Sequence, residues 1–427
     1  MSSQNTTIIS DFKPKSAFIN MIMERGHYYQ SSDLEGLDKI ALEAEQGKRE
    51  LVGYIGYDCT APSLHVGSLT QIMFQRRFQQ CGGKPITLMG SGTTRIGDPS
   101  FKNEARPVLT LEKIEENKRG IQKVFDKLID FSDGKALMVD NIEWLEKVSW
   151  LEMLSEIGRH FTVNKMISLE IVKRRLDDEI PITFLEFNYM LLQAYDFLEL
   201  SRRYGCVLQM GGSDQWGNII QGVELCRRVD NREVFGVTQP LLMNSAGQKM
   251  GKTVSGAVWL DGDMLPSFDF WQYWRNVDDA DVGKLLRLFT ELPLDEIKRL
   301  EELQGAEINE AKKILANEIT ALLHGRDAAN SALQAAQAQF TSQGGDASGL
   351  PTVELEIDGE LSIAALFVKA GLFASNSEAK KAAANNSVSI DDIKISDVTS
   401  PAAAIFEGKA SVKLSSSKKK HIIVKKK

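Results

Sequence analysis

Leu51-Val-Gly-Tyr-Ile-Gly-Tyr57, followed by Asp58-Cys-Thr-Ala-Pro-Ser-Leu-His-Val-Gly-Ser68, is the stretch on which the fold turns. The first seven residues are an apolar run, and an amphipathic segment from Leu69 to Gln80 follows the loop. Apolar run, tight loop and periodic segment read as strand, turn and helix. The loop is built of small residues with one proline, one histidine and one glycine, so a ligand can approach its backbone closely. Free N–H groups at the start of the new helix point at that loop, and the helix dipole favours negative groups there, phosphates above all. After the turn Cys81-Gly-Gly-Lys84, a second strand from Pro85 to Met89 completes a strand–helix–strand unit. Its short links require a parallel sheet.

Two helices are predicted upstream. Phe18, Ile19, Ile22 and Met23 recur at helical spacing within Lys15–Gly26. Leu34, Leu37, Ile40, Ala41 and Ala44 share one face of the second, capped by Ser32 or Asp33 and ended by Gly47. Downstream, the loop Gly90–Pro99 is glycine-rich and carries Asp98, with Lys102 and Arg106 just beyond. A helix Leu111–Leu128 and a strand Ala136–Val139 follow, and from about Trp144 to Arg203 the pattern reads as helical throughout, an insertion into the alternation. The sheet resumes at Val207–Met210, then Gly211-Gly-Ser-Asp-Gln-Trp-Gly217, a helix through Cys226 and a short strand near Pro240–Met243. Asn244–Gln248 is a flexible turn leading into Lys249-Met-Gly-Lys-Thr253. Asp58, Asp98 and Asp214 lie in loops at strand ends, which a doubly wound sheet gathers at its switch point.

From Asp279 the pattern is all helix, with Val282, Leu285, Leu286 and Phe289 on one face. The expected organisation is α/β: a Rossmann-like parallel-sheet domain over 1–245 with its helical insertion at about 144–203, then a loop and connector over 246–264. An all-helical domain over 265–343, a linker at 344–352 and a small α+β module over 353–427 complete it.

Composition narrows the function. Hydrophobic residues at 43% and charged residues at 26% are ordinary for a globular protein. No apolar run approaches the roughly 18 residues of a membrane span, and Met1–Ser10 lacks a secretory pattern. Cys59, Cys81, Cys206 and Cys226 are scattered, which argues for a reducing compartment and against structural zinc, so a cytoplasmic enzyme without a metal site is expected. The net charge of −7 does not suggest a nucleic-acid binder, yet Lys409–Lys427 holds eight lysines and no acid, an end suited to a polyanion. There is neither a G-x-x-x-x-G-K-[ST] loop nor a G-x-G-x-x-G fingerprint.

What stands instead is the pair His65-Val-Gly-Ser68 and Lys249-Met-Gly-Lys-Thr253, which resembles the HIGH and KMSKS signatures of class I aminoacyl-tRNA synthetases. Within that class the chain resembles the bacterial tyrosyl-tRNA synthetases. Tyr54–His65, Gly97-Asp-Pro-Ser100, Tyr189-Met-Leu-Leu-Gln-Ala-Tyr-Asp196 and Gly211–Asn218 look like that family's other blocks, in its order and spacing. The module after 353 resembles its RNA-binding domain, so the likeness spans nearly the whole chain.

The resemblance implies activation of tyrosine by ATP to tyrosyl-adenylate, then transfer to the terminal adenosine of tyrosine tRNA. No cofactor is bound permanently; ATP is a substrate accompanied by Mg2+. By the same resemblance Thr60 and His65 meet the ATP phosphates, while Lys102, Arg106, Lys249, Lys252 and Thr253 close over the pyrophosphate. Gly67, Ser68, Gly212 and Asp214 contact the nucleotide, Asp214 at the ribose, and Asp58 and Gln215 lie against the adenylate junction. Tyr54 and Asp196 hydrogen-bond the phenol hydroxyl; Asp98, Tyr189 and Gln193 hold the α-ammonium. A homodimer is implied, with tRNA as partner and no membrane. Ser68 departs from the family's last histidine, and Gly251 stands where a serine is common. A tryptophan enzyme of the same class, and a non-catalytic RNA-binding relative, are the competing readings.

Overall fold

Ser16 starts the first helix, α1 (Ala17–Glu24), by accepting a hydrogen bond from the Ile19 N–H, and Asp33 does the same for α2 (Leu34–Glu45) through Gly36. The computed structural model describes residues 12–98, 109–253, 256–340, 352–357, 361–391, 393–407, 409–416 and 420–427. The expected linker at 344–352 falls almost wholly outside the described residues. Two compact units emerge, Met1–Arg326 and Asp327–Lys427.

In the first unit a six-stranded sheet runs in the order β1-β6-β5-β2-β3-β4. Its strands are β1 (Gln30–Ser31), β2 (Val52–Tyr57), β3 (Lys84–Met89), β4 (Leu137–Asp140), β5 (Leu208–Gly212) and β6 (Phe235–Gln239). Neighbours from β6 to β4 pair in parallel; β1 closes the edge antiparallel to β6. The chain steps outward from β2 to β3 and β4, then returns to β5 and steps the other way to β6. The reversal therefore falls between β2 and β5, where Tyr54 is in register with Gln209. Tyr54, Ile86, Leu88, Phe197, Leu198 and Leu225 are among the buried residues of one core cluster at this sheet.

Helix α3 (Val66–Gln80) links β2 to β3 and begins three residues earlier than periodicity predicts. His65, extended at φ −114°, caps it by accepting the Gly67 N–H on Nδ1. Helix α4 (Leu111–Phe125) precedes β4, α5 (Tyr189–Tyr204) precedes β5, and α6 (Trp216–Asp230) connects β5 to β6.

Two expectations are corrected. The last strand is Phe235–Gln239, not Pro240–Met243, because Pro240 has no N–H to continue the ladder. Leu242 instead accepts the Met250 N–H at 2.9 Å, and Met243 bridges Lys249, so 244–248 is the closed end of a hairpin. Nor is 144–203 one helical run: a π-turn at Met153–Ile157 and the non-helical Ile180–Pro181 stretch, beside Glu179 at φ 56°, break it into short pieces before α5.

Beyond the sheet, α7 (Ser267–Arg275), α8 (Val282–Phe289) and α9 (Ile308–His324) bury Phe270, Trp271, Trp274 and Phe289. The helix α10 (Arg326–Phe340) follows. Within the first unit the helices are tied to the end of α3 by arginines. Arg77, 1% exposed, pairs with Glu291 and donates to the Thr290 carbonyl; Arg25 donates to Thr290 and Leu292 carbonyls at 2.9 and 2.7 Å. The second unit carries a five-stranded sheet in the order β11 (Ile393–Lys394), β10 (Val388–Ile390), β12 (Ser411–Ser416), β13 (Lys420–Lys426) and β9 (Thr352–Leu355), covered by α11 (Ile363–Lys369) and α12 (Asn376–Ala384).

Burial alone would raise the Glu291 pKa, but Arg77, Arg76 and Gln80 outweigh it and hold it at about 2. Its stabilisation is therefore present above the ordinary carboxylate range and is lost as pH falls through about 2. Glu291→Ala leaves Arg77 buried without its carboxylate and is expected to cost about 2 kcal/mol at pH 7. Urea unfolding at pH 7 measures it, and a loss below about 0.5 kcal/mol contradicts the role.

Candidate functional site

The carboxyl ends of β2 and β5 open onto a cleft of about 640 Å³ whose wall includes Tyr54, Asp58, Thr60, Asp98, Gln193 and Asp196. A second lobe of about 340 Å³ is lined by Gly67, Gly212, Asp214, Gln239 and Lys249 among others. His65, Ser68 and Gln71 line both. The two cavities therefore share a wall at the start of α3.

The deep end of the first lobe is a polar network inside an apolar core. Asp196, on α5, is 3% exposed. Its Oδ2 accepts from Asn141 Nδ2 at 3.0 Å and its Oδ1 from Trp144 Nε1 at 2.8 Å. The Asn141 Oδ1 accepts the Gly92 N–H at 2.9 Å, and its Nδ2 also donates to Thr93 Oγ1 at 3.1 Å. Thr93 in turn donates to Asp58 Oδ1 at 3.0 Å, so two acids of the cleft hang on one chain of neutral donors. Burial raises the Asp196 pKa to about 7 although both donors pull it down; Asp58 and Asp140 add to the rise.

Beside it the Tyr54 hydroxyl is buried and has no hydrogen-bond partner among the described residues. Burial, then Asp196, pushes its pKa well above the ordinary phenol value, so it stays neutral. Gln193 Oε1 and Gln209 Oε1 are orphaned in the same way. Buried polar atoms rarely go unpaired in a folded protein. A cleft that leaves several unpaired around one hole is built for a ligand that completes them.

Nearer the mouth, Gln193 Nε2 donates to Gln215 Oε1 at 3.3 Å, and Gln215 Nε2 donates to Asp98 Oδ2 at 2.9 Å. The Tyr189 hydroxyl lies 3.4 Å from Asp58 Oδ1. The residues predicted to hold an ammonium thus pair with those predicted to face an adenylate junction, Gln193 and Asp98 with Gln215, and Tyr189 with Asp58. Thr60 is exposed at its edge. Cys59 is no nucleophile here, since burial pushes its thiol up to about 12.

The two signature loops meet through backbone. Leu64 and Val66 exchange hydrogen bonds with Leu260 and Val258, each at 2.9 Å, around a His65–Trp259 bridge. Gly251, at φ +103°, backs onto the first turn of α3 so closely that a Cβ there would lie 2.7 Å from the Gly67 nitrogen. Glycine at 251, a departure from the family pattern in sequence, is what this contact requires. Ser68 donates its N–H to the His65 carbonyl. Lys249 is exposed on the hairpin, and Lys252 and Thr253 form β7, paired with β8 (Gly256–Ala257). The side chains of Lys252 and Thr253, and all of Lys102 and Arg106, lie outside the described residues.

Thr93, Asn141, Trp144 and Gln209 escaped the reading of the sequence. Asn141 directly follows β4, so a polar residue at that strand end was the available signal; Trp144 read as the first residue of an insertion.

With this geometry in view, comparison with known proteins is specific. Residues 45–341 match the family described as tRNA synthetases class I (W and Y). The chain is 54% identical over 423 residues to a tyrosine–tRNA ligase of Methylocella silvestris, covering 97% of this chain and 99% of that one. It is 52% identical over 417 residues to one of Bradyrhizobium diazoefficiens, covering 96% and 99%. Among solved structures, a C-terminally truncated mitochondrial tyrosyl-tRNA synthetase of Aspergillus nidulans superposes with a TM-score of 0.66 at 28% identity, covering 78% of this chain and 97% of that one. A tyrosyl-tRNA synthetase of Archaeoglobus fulgidus, at 19% identity and a TM-score of 0.54, covers 74% and 99% and shares the fold.

Gly251→Ala tests the loop contact. The added methyl must displace the hairpin from α3, and trypsin is expected to cut after Lys249 and Lys252 several-fold faster than in the unchanged protein. Equal cleavage rates contradict the contact.

Proposed function

The chain belongs to the class I tRNA synthetases of the W and Y family, and on that premise we propose which of its groups carry each part of the reaction. Its activity is that of a tyrosine–tRNA ligase, with tyrosine, ATP and tRNA as substrates. The tyrosine carboxylate attacks the α-phosphorus of ATP and pyrophosphate leaves. A ribose hydroxyl of the tRNA's terminal adenosine then attacks the carbonyl carbon, and AMP leaves. The nucleophile is the substrate's own carboxylate, so the protein's task is positioning and charge stabilisation.

Tyrosine enters the first lobe ring-first. Its hydroxyl meets Tyr54 and Asp196, and the orphaned Tyr54 hydroxyl is the observation that carries this reading. Phenylalanine leaves those buried groups unpaired, which is costly. Asp98, Tyr189 and Gln193 receive the ammonium group, and Asp58 and Gln215 flank the junction where the adenylate forms. ATP occupies the second lobe, with Gly67, Gly212 and Asp214 at the nucleoside and His65, Ser68 and Thr60 toward the phosphates. It arrives with Mg2+ on its phosphates as part of the substrate. Lys102, Arg106, Lys249, Lys252 and Thr253 neutralise the departing pyrophosphate.

Three further assignments complete the proposal. The domain limits stand as 1–245, 246–264, 265–343, 344–352 and 353–427. The basic module after 353 grips tRNA phosphates, supported by exposed Lys380 and Lys381 on α12 and exposed Lys425 and Lys426 at the end of β13. The protein is a homodimer, supported by the exposed apolar side chains of Trp150, Leu151, Leu154, Val163 and Phe184 in the insertion, a patch that a second copy covers. No described helix is long and apolar enough to cross a membrane. Four free cysteines suit a reducing cytoplasm.

Exchange of pyrophosphate into ATP, run with tyrosine, tryptophan and phenylalanine in turn, tests the assignment. Tyrosine alone is expected to support exchange, and Asp196→Ala is expected to reduce it at least a hundredfold while the fold survives. Exchange with tryptophan moves the chain to the sister specificity; exchange with none leaves an RNA-binding relative; wild-type rates in the variant remove Asp196 from the site.

A further inference from the structure

Gln239, the last residue of β6, is 1% exposed and yet forms part of the wall of the second lobe. Its Oε1 lies 2.8 Å from the Nδ1 of His27, a residue 212 positions away in sequence. His27 is buried and stacked on Phe74 of α3, with ring centroids 5.6 Å apart and planes 13° from parallel. Burial pushes its pKa down to about 4, so the ring is neutral near pH 7 and carries one proton. With the amide oxygen of Gln239 turned to it, Nδ1 carries that proton and donates, and the ring's Nε2 is left as a buried nitrogen with no hydrogen-bond partner among the described residues. The amide of Gln239 is then held by its oxygen, and its nitrogen, Nε2, has no partner among the described residues.

A donor buried without an acceptor is a cost that native structures avoid. Here it stands beside a lobe whose lining includes Gly212, in register with Gln239, and Leu241 and Leu242, together with polar residues such as Thr70, Gln71 and Asp214. A flat aromatic heterocycle with ring-nitrogen acceptors fits that combination: apolar side chains for its face, a close glycine backbone and one fixed donor for its edge. The pair is neutral, so it adds no charge that would need a counter-ion on the base.

We propose that Gln239 Nε2 donates a hydrogen bond to the purine of bound ATP, and that His27 is the positioning residue that fixes the amide in that orientation. The proposal rests on the reading of the second lobe as the nucleotide site. Neither residue touches the reacting phosphorus. Their effect is on nucleotide affinity and not on the chemical step.

Calorimetric titration of the full chain with ATP, without tyrosine, tests this independently of exchange. Gln239→Met keeps length and apolar packing and is expected to weaken ATP binding about tenfold. His27→Phe keeps the stack on Phe74 but frees the amide, and about a threefold loss is expected. The double variant, in which both partners become apolar and no buried polar atom of the pair is stranded, is expected to bind no worse than Gln239→Met alone. In exchange assays KM for ATP rises in parallel while KM for tyrosine stays within about twofold. Folded variants that bind ATP like the unchanged protein overturn the proposal, as does an equal rise in both KM values. If the unchanged protein binds ATP but supports no exchange with tyrosine, the synthetase reading falls and the titration still decides the role of Gln239.

Discussion

A carboxyl group taken out of water must have its oxygens bonded or give up its charge, and in Asp196 this constraint organises the site. Asn141 and Trp144 bind both oxygens, yet burial still brings the pKa to about 7. To deliver those donors, the end of β4 must abut α5, and α5 must pack against the β2 strand that carries Tyr54. The Asn141 amide also reaches Thr93, and through it Asp58. Asp196 at the phenol-sized end of the cleft and Asp58 at its rim thus belong to one hydrogen-bonded chain, set by how three strand ends converge.

The nucleotide side follows a different rule: backbone must approach backbone. His65 caps α3 with its own ring, Gly67 leaves room for that ring, and Gly251 lets the later loop come within contact of the helix start. A side chain at 251 would push the two signature loops apart, and one at 67 would press on the His65 ring that caps the helix. The Arg77–Glu291 pair at the far end of α3 anchors the same helix, so the helix that presents its free N–H groups to the cleft is fixed at both termini.

Much of this was legible in the chain itself. The apolar run 51–57, the loop after it and the helix beyond were readable because strand and helix periods differ and the links are short. The acids at 58, 98 and 214 were readable as strand-end residues. Other features were not. β1 is two residues long and has no period to detect. The β6 strand contains Gly236, Thr238 and Gln239, so the apolar Pro240–Met243 stretch drew the strand to itself. Asn141, Trp144, His27 and Gln239 have roles only because distant segments bring partners to them. A local pattern holds no record of such contacts.

The account's central claim is that the substrate's hydroxyl completes the bonding of Asp196. In the free protein burial keeps a fraction of that carboxyl protonated near pH 7. A hydroxyl donated to it favours the charged form and lowers its pKa, so binding must release protons. Calorimetric titration with tyrosine at pH 7, in buffers of different ionisation enthalpy, measures this directly. Proton release on binding is predicted, disappearing in Asp196→Asn; tyrosine binding with no proton release, or with uptake, would contradict the account.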